Sequence, residues 1–378
     1  MIWCAGTGQS GFNALGSVLC GDVNPSGRTI DTFVYDLTAT PTWNNFGNML
    51  YDNMNEFEAD SFGTKVTPAF VNYVENIYVG YKFYETAAAE GAIDYDSMVA
   101  FPFGYGLSYT SFEQKLNDVT YKDGKVTVDV TVTNTGDREG AEIVQVYVAK
   151  PDAKIFRPAQ ELKGFAKVQL QPGESKTVTI PLDDKAFRYW NTKTDSWEVE
   201  GGSYELRVGA SSADIRLTAV VEVAGTGAPN PYAGKHLPHY TSGKVQSVPD
   251  DEWATLLGRP VQQGKVKIDR NMTLGELNHS RSPLCWLAWA VLHTLLKRSS
   301  REGTPDLNLL FQYNMPVRAL AQMTGGMVGQ ETVNGIVMEA KGFWLIGLLR
   351  ALIGFGQNAV SNRKFRAALD AERGGPAV

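Results

Sequence analysis

The sequence predicts a multidomain α+β chain: a partial α/β sandwich, then a β-sandwich, then a C-terminal helical segment. Three observations predict it. Lys125–Thr133 alternates valine with polar residues without a fault, the period of a half-buried antiparallel strand. Ahead of it, Met1–Cys20 runs from an apolar stretch through a glycine turn into apolar residues at helical spacing, as in a β-turn-α unit. Behind it, past a Gly/Pro-rich stretch, Ser282–Leu296 and Phe343–Val360 are apolar nearly all round. The expected boundaries are 1–110, 111–224, a linker over 225–270, and 271–378.

Composition narrows the function classes. The chain has 378 residues, 43% hydrophobic and 20% charged, ample for two or three globular domains. A net charge of −6 disfavours nucleic acid or an anionic membrane as a general partner. The three cysteines, Cys4, Cys20 and Cys285, are too few and too scattered for a disulfide framework, which suits a reducing, cytoplasmic setting. The start lacks a basic and long-apolar leader pattern. It reads like the interior of a folded domain, so the frame is expected to begin inside a longer protein.

In the first block, Phe12, Leu15, Val18 and Leu19 share a helical face that Gly21 should end. Asp22–Gly27 is turn chemistry, and Arg28–Val34 reads as a second strand. Gly6-x-Gly8-x-x-Gly11, with Asp31 about twenty residues on, matches the dinucleotide fingerprint. Against it, Asp31 lies inside an apolar run, and no further βαβ unit follows. Glu75–Glu85 puts Ile77, Gly80, Tyr81 and Tyr84 on one helical face.

Gly8–Arg28, Asn76–Glu85 and Phe101–Phe112 together resemble, in the right order, three segments of glycoside hydrolase family 3. The first is similar to the glycine-rich segment that closes the α/β sandwich of β-glucosidases and β-xylosidases. This chain departs from that pattern at Thr7, Phe12 and Cys20, all packing positions.

Tyr35–Thr64 is a polar insertion with Trp43, Phe46 and Tyr51 and the carboxylates Glu56, Glu58 and Asp60. It reads as a surface loop, or alternatively as one leaning over a sugar site. Phe101–Phe112 carries aromatics and two glycines and no charge. It is expected to be a buried strand joining two domains, with Gly104 and Gly106 where no side chain fits.

Val126, Val128, Val130 and Val132 should face a core, and Val144, Val146 and Val148 repeat the alternation. With further strands near 165–170, 176–182, 197–199, 204–208 and 215–223, the pattern indicates an immunoglobulin-like or fibronectin type III-like sandwich. Pro158–Phe165, Leu170–Lys176 and Gly201–Gly209 resemble the fibronectin type III-like domain found in many family 3 glycosidases. Tyr189, Trp190 and Trp197 are expected to fill or cap the sandwich core; the alternative is a carbohydrate-stacking patch.

Gly225–Pro231 is linker-like, and Pro249–Leu257 opens a helix with acidic residues. Helices are expected over 284–298, 309–323, 331–340 and 343–360. The apolar runs break at Lys297 and Arg350, short of the roughly twenty residues a membrane span needs. Their faces are expected to be buried on each other, on another part of the enzyme, or in a homo-oligomer through this tail. His236, His239, His279 and His293 form no zinc pattern.

Retaining glycosidases use two carboxylates about 5–5.5 Å apart. The resemblance implies that the nucleophilic Asp sits on an N-terminal barrel and the acid/base Glu in the α/β sandwich ahead of Met1. No position here matches either motif, so no catalytic, cofactor-binding or metal residue is assigned, and no cofactor is expected. The implied substrate of the full enzyme is a β-glycoside. A weaker alternative makes Glu56, Glu58 or Asp60 the acid. A carbohydrate-binding or interaction module, and a dinucleotide-binding oxidoreductase, are the rival classes.

Overall fold

The computed structural model describes residues 2–4, 6, 8–45, 49–58, 63, 65–301 and 306–372. Helix takes 35% and strand 25%, the mixture of a multidomain α+β chain. In chain order the helices are α1 (Gly11–Cys20), α2 (Tyr81–Ala89), α3 (Tyr95–Met98), α4 (Pro238–Thr241) and α5 (Asp250–Leu257). They continue with α6 (Pro283–Arg301), α7 (Leu307–Asn314), α8 (Leu320–Met323), α9 (Gln330–Ala340) and α10 (Trp344–Glu372). The strands begin with β1 (Phe33–Val34), β2 (Leu50–Tyr51), β3 (Phe57–Glu58), β4 (Lys65–Val66) and β5 (Val99–Phe101). The sandwich strands are β6 (Phe112–Lys122), β7 (Lys125–Asn134), β8 (Gly140–Ala149), β9 (Glu161–Leu170) and β10 (Ser175–Leu182). Then come β11 (Arg188–Asn191), β12 (Ser196–Val199), β13 (Gly202–Gly209), β14 (Ile215–Val223) and β15 (Gly264–Lys265). The chain forms two compact units, Met1–Pro41 with Val74–Pro260, and Thr42–Tyr73 with Val261–Val378.

The first unit is built around the sandwich. One sheet runs β10-β7-β6 and the other β14-β13-β8-β9, all antiparallel. Period-two alternation buries Val126, Val128, Val130 and Val132 completely. They meet Val144, Val146, Leu206 and Val208 from the facing sheet. Each fully buried aliphatic side chain is worth about 1.5–3 kcal/mol, so these facing rows dominate the stability of the domain. Asn134 ends β7 and is itself fully buried. Its Nδ2 donates to Arg138 O and Leu170 O, and its Oδ1 accepts from Thr110 Oγ1 and Gly136 N, so the predicted turn is held by a satisfied amide.

The parts of the first block that belong to this unit, up to Pro41 and from Val74, pack on the sandwich. α1 ends as expected, with Gly21 at φ 81° donating to Val18 O. Several other expected elements change. Residues 2–4 form no strand, and Ile2 and Trp3 are exposed: an apolar run pairs only if a neighbouring strand is there to receive it. Only Phe33–Val34 of the 28–34 run is strand, paired antiparallel with β5. The helix expected from Glu75 starts at Tyr81, because Asn76 (φ 52°) and Gly80 (φ 58°) take the left-handed side of backbone space, which a helix cannot include. Phe101–Phe112 is strand only at its ends. Between them it is an irregular joint, since its amides turn to side chains and loops: Gly104 N donates to Thr29 O and Tyr105 N to Thr29 Oγ1.

The Gly/Pro-rich stretch after the sandwich is not loose. Thr226 N donates to Val199 O, and Asn191 Nδ2 donates to Pro229 O. Tyr232 and Tyr240 both stack on Phe156. α5 begins as predicted, with Pro249 at its N-cap, Asp250, Asp251 and Glu252 in the first turn, and Gly258 left-handed at its end.

In the second unit, the predicted 309–323 helix divides into α7 and α8, because Pro316 denies the helix an amide and restricts Met315. α9 and α10 pack backbone to backbone through Gly335, Gly347 and Gly354, where added Cβ atoms would strike the opposite helix. Leu287 and Val291 on α6, and Leu345, Leu349 and Leu352 on α10, are exposed. No helix among the described residues is long and apolar enough to cross a membrane.

Candidate functional site

The glycine fingerprint does lead into a helix, and Gly8 has φ 63°. The rest of a dinucleotide site is missing. No strand precedes α1 among the described residues. Asp31 is exposed, and its Oδ1 accepts the adjacent Thr32 N–H. A pyrophosphate cradle needs a parallel βαβ frame around the turn, and β1 pairs antiparallel.

Among the described residues, Glu56 and Glu58 each face a lysine and not another acid. Glu56 pairs with Lys267, whose hydrogen bond and charge hold the Glu56 carboxyl below its usual range. A general acid at neutral pH needs the opposite shift. Glu58 is exposed on β3, opposite Lys65 on β4. Asp60 and Phe46 lie outside the described residues. Tyr51 packs on Phe70, ring centroids 4.9 Å apart, so it supports the insertion itself.

The aromatic trio divides. Neighbouring residues of a strand face opposite ways, so Tyr189 and Trp190 cannot both enter the core. Tyr189 is half-buried, and the guanidinium carbon of Arg157 lies 5.3 Å from its ring centroid. Trp190 stands directly opposite Trp197 across the β11–β12 hairpin, and the two are 44% and 59% exposed. Their rings meet edge to face at 5.4 Å. The core end they were expected to fill is occupied by Phe187 and Tyr204.

A pocket of about 370 Å³ lies where α2 and α3 meet the sandwich. Glu85, near the C-terminal end of the Asn76–Glu85 segment, reaches it from α2. Tyr95, at the start of α3, donates its hydroxyl to Glu85 Oε1 at 2.8 Å. Arg207 on β13 donates to Gln160 Oε1 and is paired with Glu205 at 2.7 Å. Gln160 Nε2 donates to Ser212 O. Ser212 is 2% exposed, and its Oγ faces the Glu85 carboxylate and the Tyr95 hydroxyl without completing a hydrogen bond of its own. Burial pushes the Glu85 carboxyl above its usual range, while Ser212, Tyr95 and Arg207 pull it back.

Residues 142–212 match the family described as fibronectin type III-like domain. The exo-α-(1→6)-L-arabinopyranosidase of Bifidobacterium breve is 42% identical over 225 residues, covering 59% of this chain and 26% of that protein. The thermostable β-glucosidase B of Acetivibrio thermocellus is 41% identical over 223 residues, 58% of this chain and 26% of that one. The crystal structure of a Bifidobacterium adolescentis GH3 β-glucosidase shares 36% identity over 63% of this chain and 32% of its own, with a TM-score of 0.49. Over the part it shares with them, the chain is similar to these glycosidases. It spans about a quarter of their length.

Two surface features differ from what the sequence led one to expect. The indole pair was singled out, but buried in expectation. A hairpin of its own, β11–β12, could have been read from the Asn191–Asp195 turn between two aromatic runs. The Glu85 pocket carries no local signal, since its polar residues come from positions 85, 95, 160, 207 and 212.

Proposed function

We propose that this chain serves as the C-terminal part of a family 3 glycosidase. In that reading the whole protein hydrolyses β-linked glucosides, or short xylo- or arabino-glycosides. Double displacement is the mechanism the family resemblance implies. The observation that carries the reading is the identity of 42% and 41%, over more than half of this chain, with relatives named as an arabinopyranosidase and a β-glucosidase. The surface of the first block supports it: Ile2, Trp3, Phe12 and Leu19 are all exposed, apolar area suited to covering by further protein. The chain alone is expected to give no turnover of p-nitrophenyl β-glucoside above the buffer blank. Hydrolysis should appear when a polypeptide carrying the relatives' remaining length is added. Turnover by the purified chain that persists through successive columns would contradict this.

The exposed Trp190–Trp197 pair favours a second role, a stacking platform for sugar rings. Indole faces in this position bind the C–H face of a pyranose through dispersion and burial. A Trp190→Ala variant is expected to lose most of any affinity for a soluble β-glucan in gel-shift electrophoresis, with an unchanged melting temperature. Equal migration of variant and parent would dismiss the platform.

A further inference from the structure

We propose that the Glu85 pocket binds a neutral polyhydroxyl molecule, a sugar ring or polyol presenting a vicinal diol. The inference does not rest on the glycosidase reading. Its first support is the mixture of groups. Glu85 offers a carboxylate with one oxygen taken by Tyr95, Arg207 offers N–H donors beside Gln160, and Ser212 offers a hydroxyl. A diol hydroxyl donates to the carboxylate and accepts from a neighbouring donor at once, which a purely anionic or cationic group cannot do.

The second support is charge. Arg207 is already neutralised by Glu205, so an incoming anion would meet Glu85 and Glu205 with little to attract it. The third is the orphaned Ser212 Oγ. A buried hydroxyl without a partner is costly and is normally satisfied by protein, water or ligand, and this one is covered within a residue that lines the cavity. Finally, Ala88, Ala213 and Ile215 give the cavity an apolar wall for the C–H face of a ring, and its size falls in the range of small-molecule sites.

The test is titration of the full chain with D-glucose, glycerol and D-glucuronate, followed by saturation-transfer NMR. D-glucose should bind weakly but saturably. Glu85→Gln should weaken that binding about tenfold, and Ser212→Ala by a smaller factor, as expected for losing a charged and a neutral hydrogen bond. The titrations are run in the Trp190→Ala background, which separates this site from the indole platform.

Glu85→Gln is expected to remain folded. A carboxyl whose pKa rises on folding favours the folded state at low pH and loses that contribution as pH rises through the folded value. At pH 7 the glutamine variant should therefore melt no lower than the parent. Glycerol binding with the same sensitivity to Glu85→Gln would assign recognition to the diol alone. Binding of glucose without glycerol would add the apolar wall. Both support the proposal. Tighter binding of glucuronate than of glucose overturns the neutral assignment. So does the absence of saturable binding, or binding untouched by both pocket variants.

Discussion

Gly106→Ala is expected to destabilise the first unit by about 1–3 kcal/mol, the cost of forcing a methyl group into a packed contact. A Cβ at this position would fall on the carbonyl oxygen of Gly27 and within 3.0 Å of the Arg28 side chain. A backbone oxygen cannot swing aside as a side chain can. Gly104→Ala should cost more, because two penalties add. Its φ of 79° disfavours any residue with a Cβ, and the new methyl would displace the buried Gln145 amide. That amide donates to Gly104 O and Ala210 O and accepts from Tyr147, so moving it leaves several buried groups unpaired. Urea unfolding followed by circular dichroism measures both. Gly16→Ala is the control: it lies in α1 with nothing within 4 Å of an added Cβ and should be neutral or mildly stabilising. Unfolding midpoints for Gly104→Ala and Gly106→Ala equal to the parent's would refute the close-packed joint.

Removing Glu142 from the Arg28–Glu142 pair is expected to cost about 3–5 kcal/mol, the effect of leaving one buried charge uncompensated; removing Arg28 should cost less, because Arg216 Nη1 lies 4.0 Å from Glu142 Oε2. The two groups meet at 2.6 Å with side chains only 9% and 5% exposed. Glu142 Oε1 also accepts the Ile143 N–H. Arg28 belongs to the loop after α1 and Glu142 to β8, so the pair fastens the first block onto the sandwich. The single variants Arg28→Met and Glu142→Leu should each lower the melting temperature by several degrees. The double variant should recover most of the loss, because apolar residues of similar volume often replace a buried pair at little cost. A double variant no more stable than the worse single one would show that the pair matters for more than charge compensation.

How much of this was legible in advance depends on the range of the interaction. β7 could be drawn from its own residues, since a period of two needs only one sheet face buried. The end of α1 and the start of α5 were equally readable, as Gly21 and the acidic first turn act on their own backbone. The glycines of the Phe101–Phe112 joint were rightly expected to sit where no side chain fits, yet the segment is not a strand. A strand requires a partner's carbonyls at the correct spacing, and Thr29 supplied a hydroxyl and one carbonyl instead. The indoles show the same limit: the alternation of 189 and 190 was visible, but which of the two faced inward was not.

Local periodicity and turn chemistry, acting between residues a few positions apart, determined the sandwich and the helix ends. Only the tertiary structure decided that Trp190 and Trp197 face solvent, that Arg28 meets Glu142, and that Glu85, Tyr95, Arg207 and Ser212 converge on one pocket. Those outcomes depend on which distant surfaces compete to bury the same groups, and that competition is settled only when the whole chain has packed.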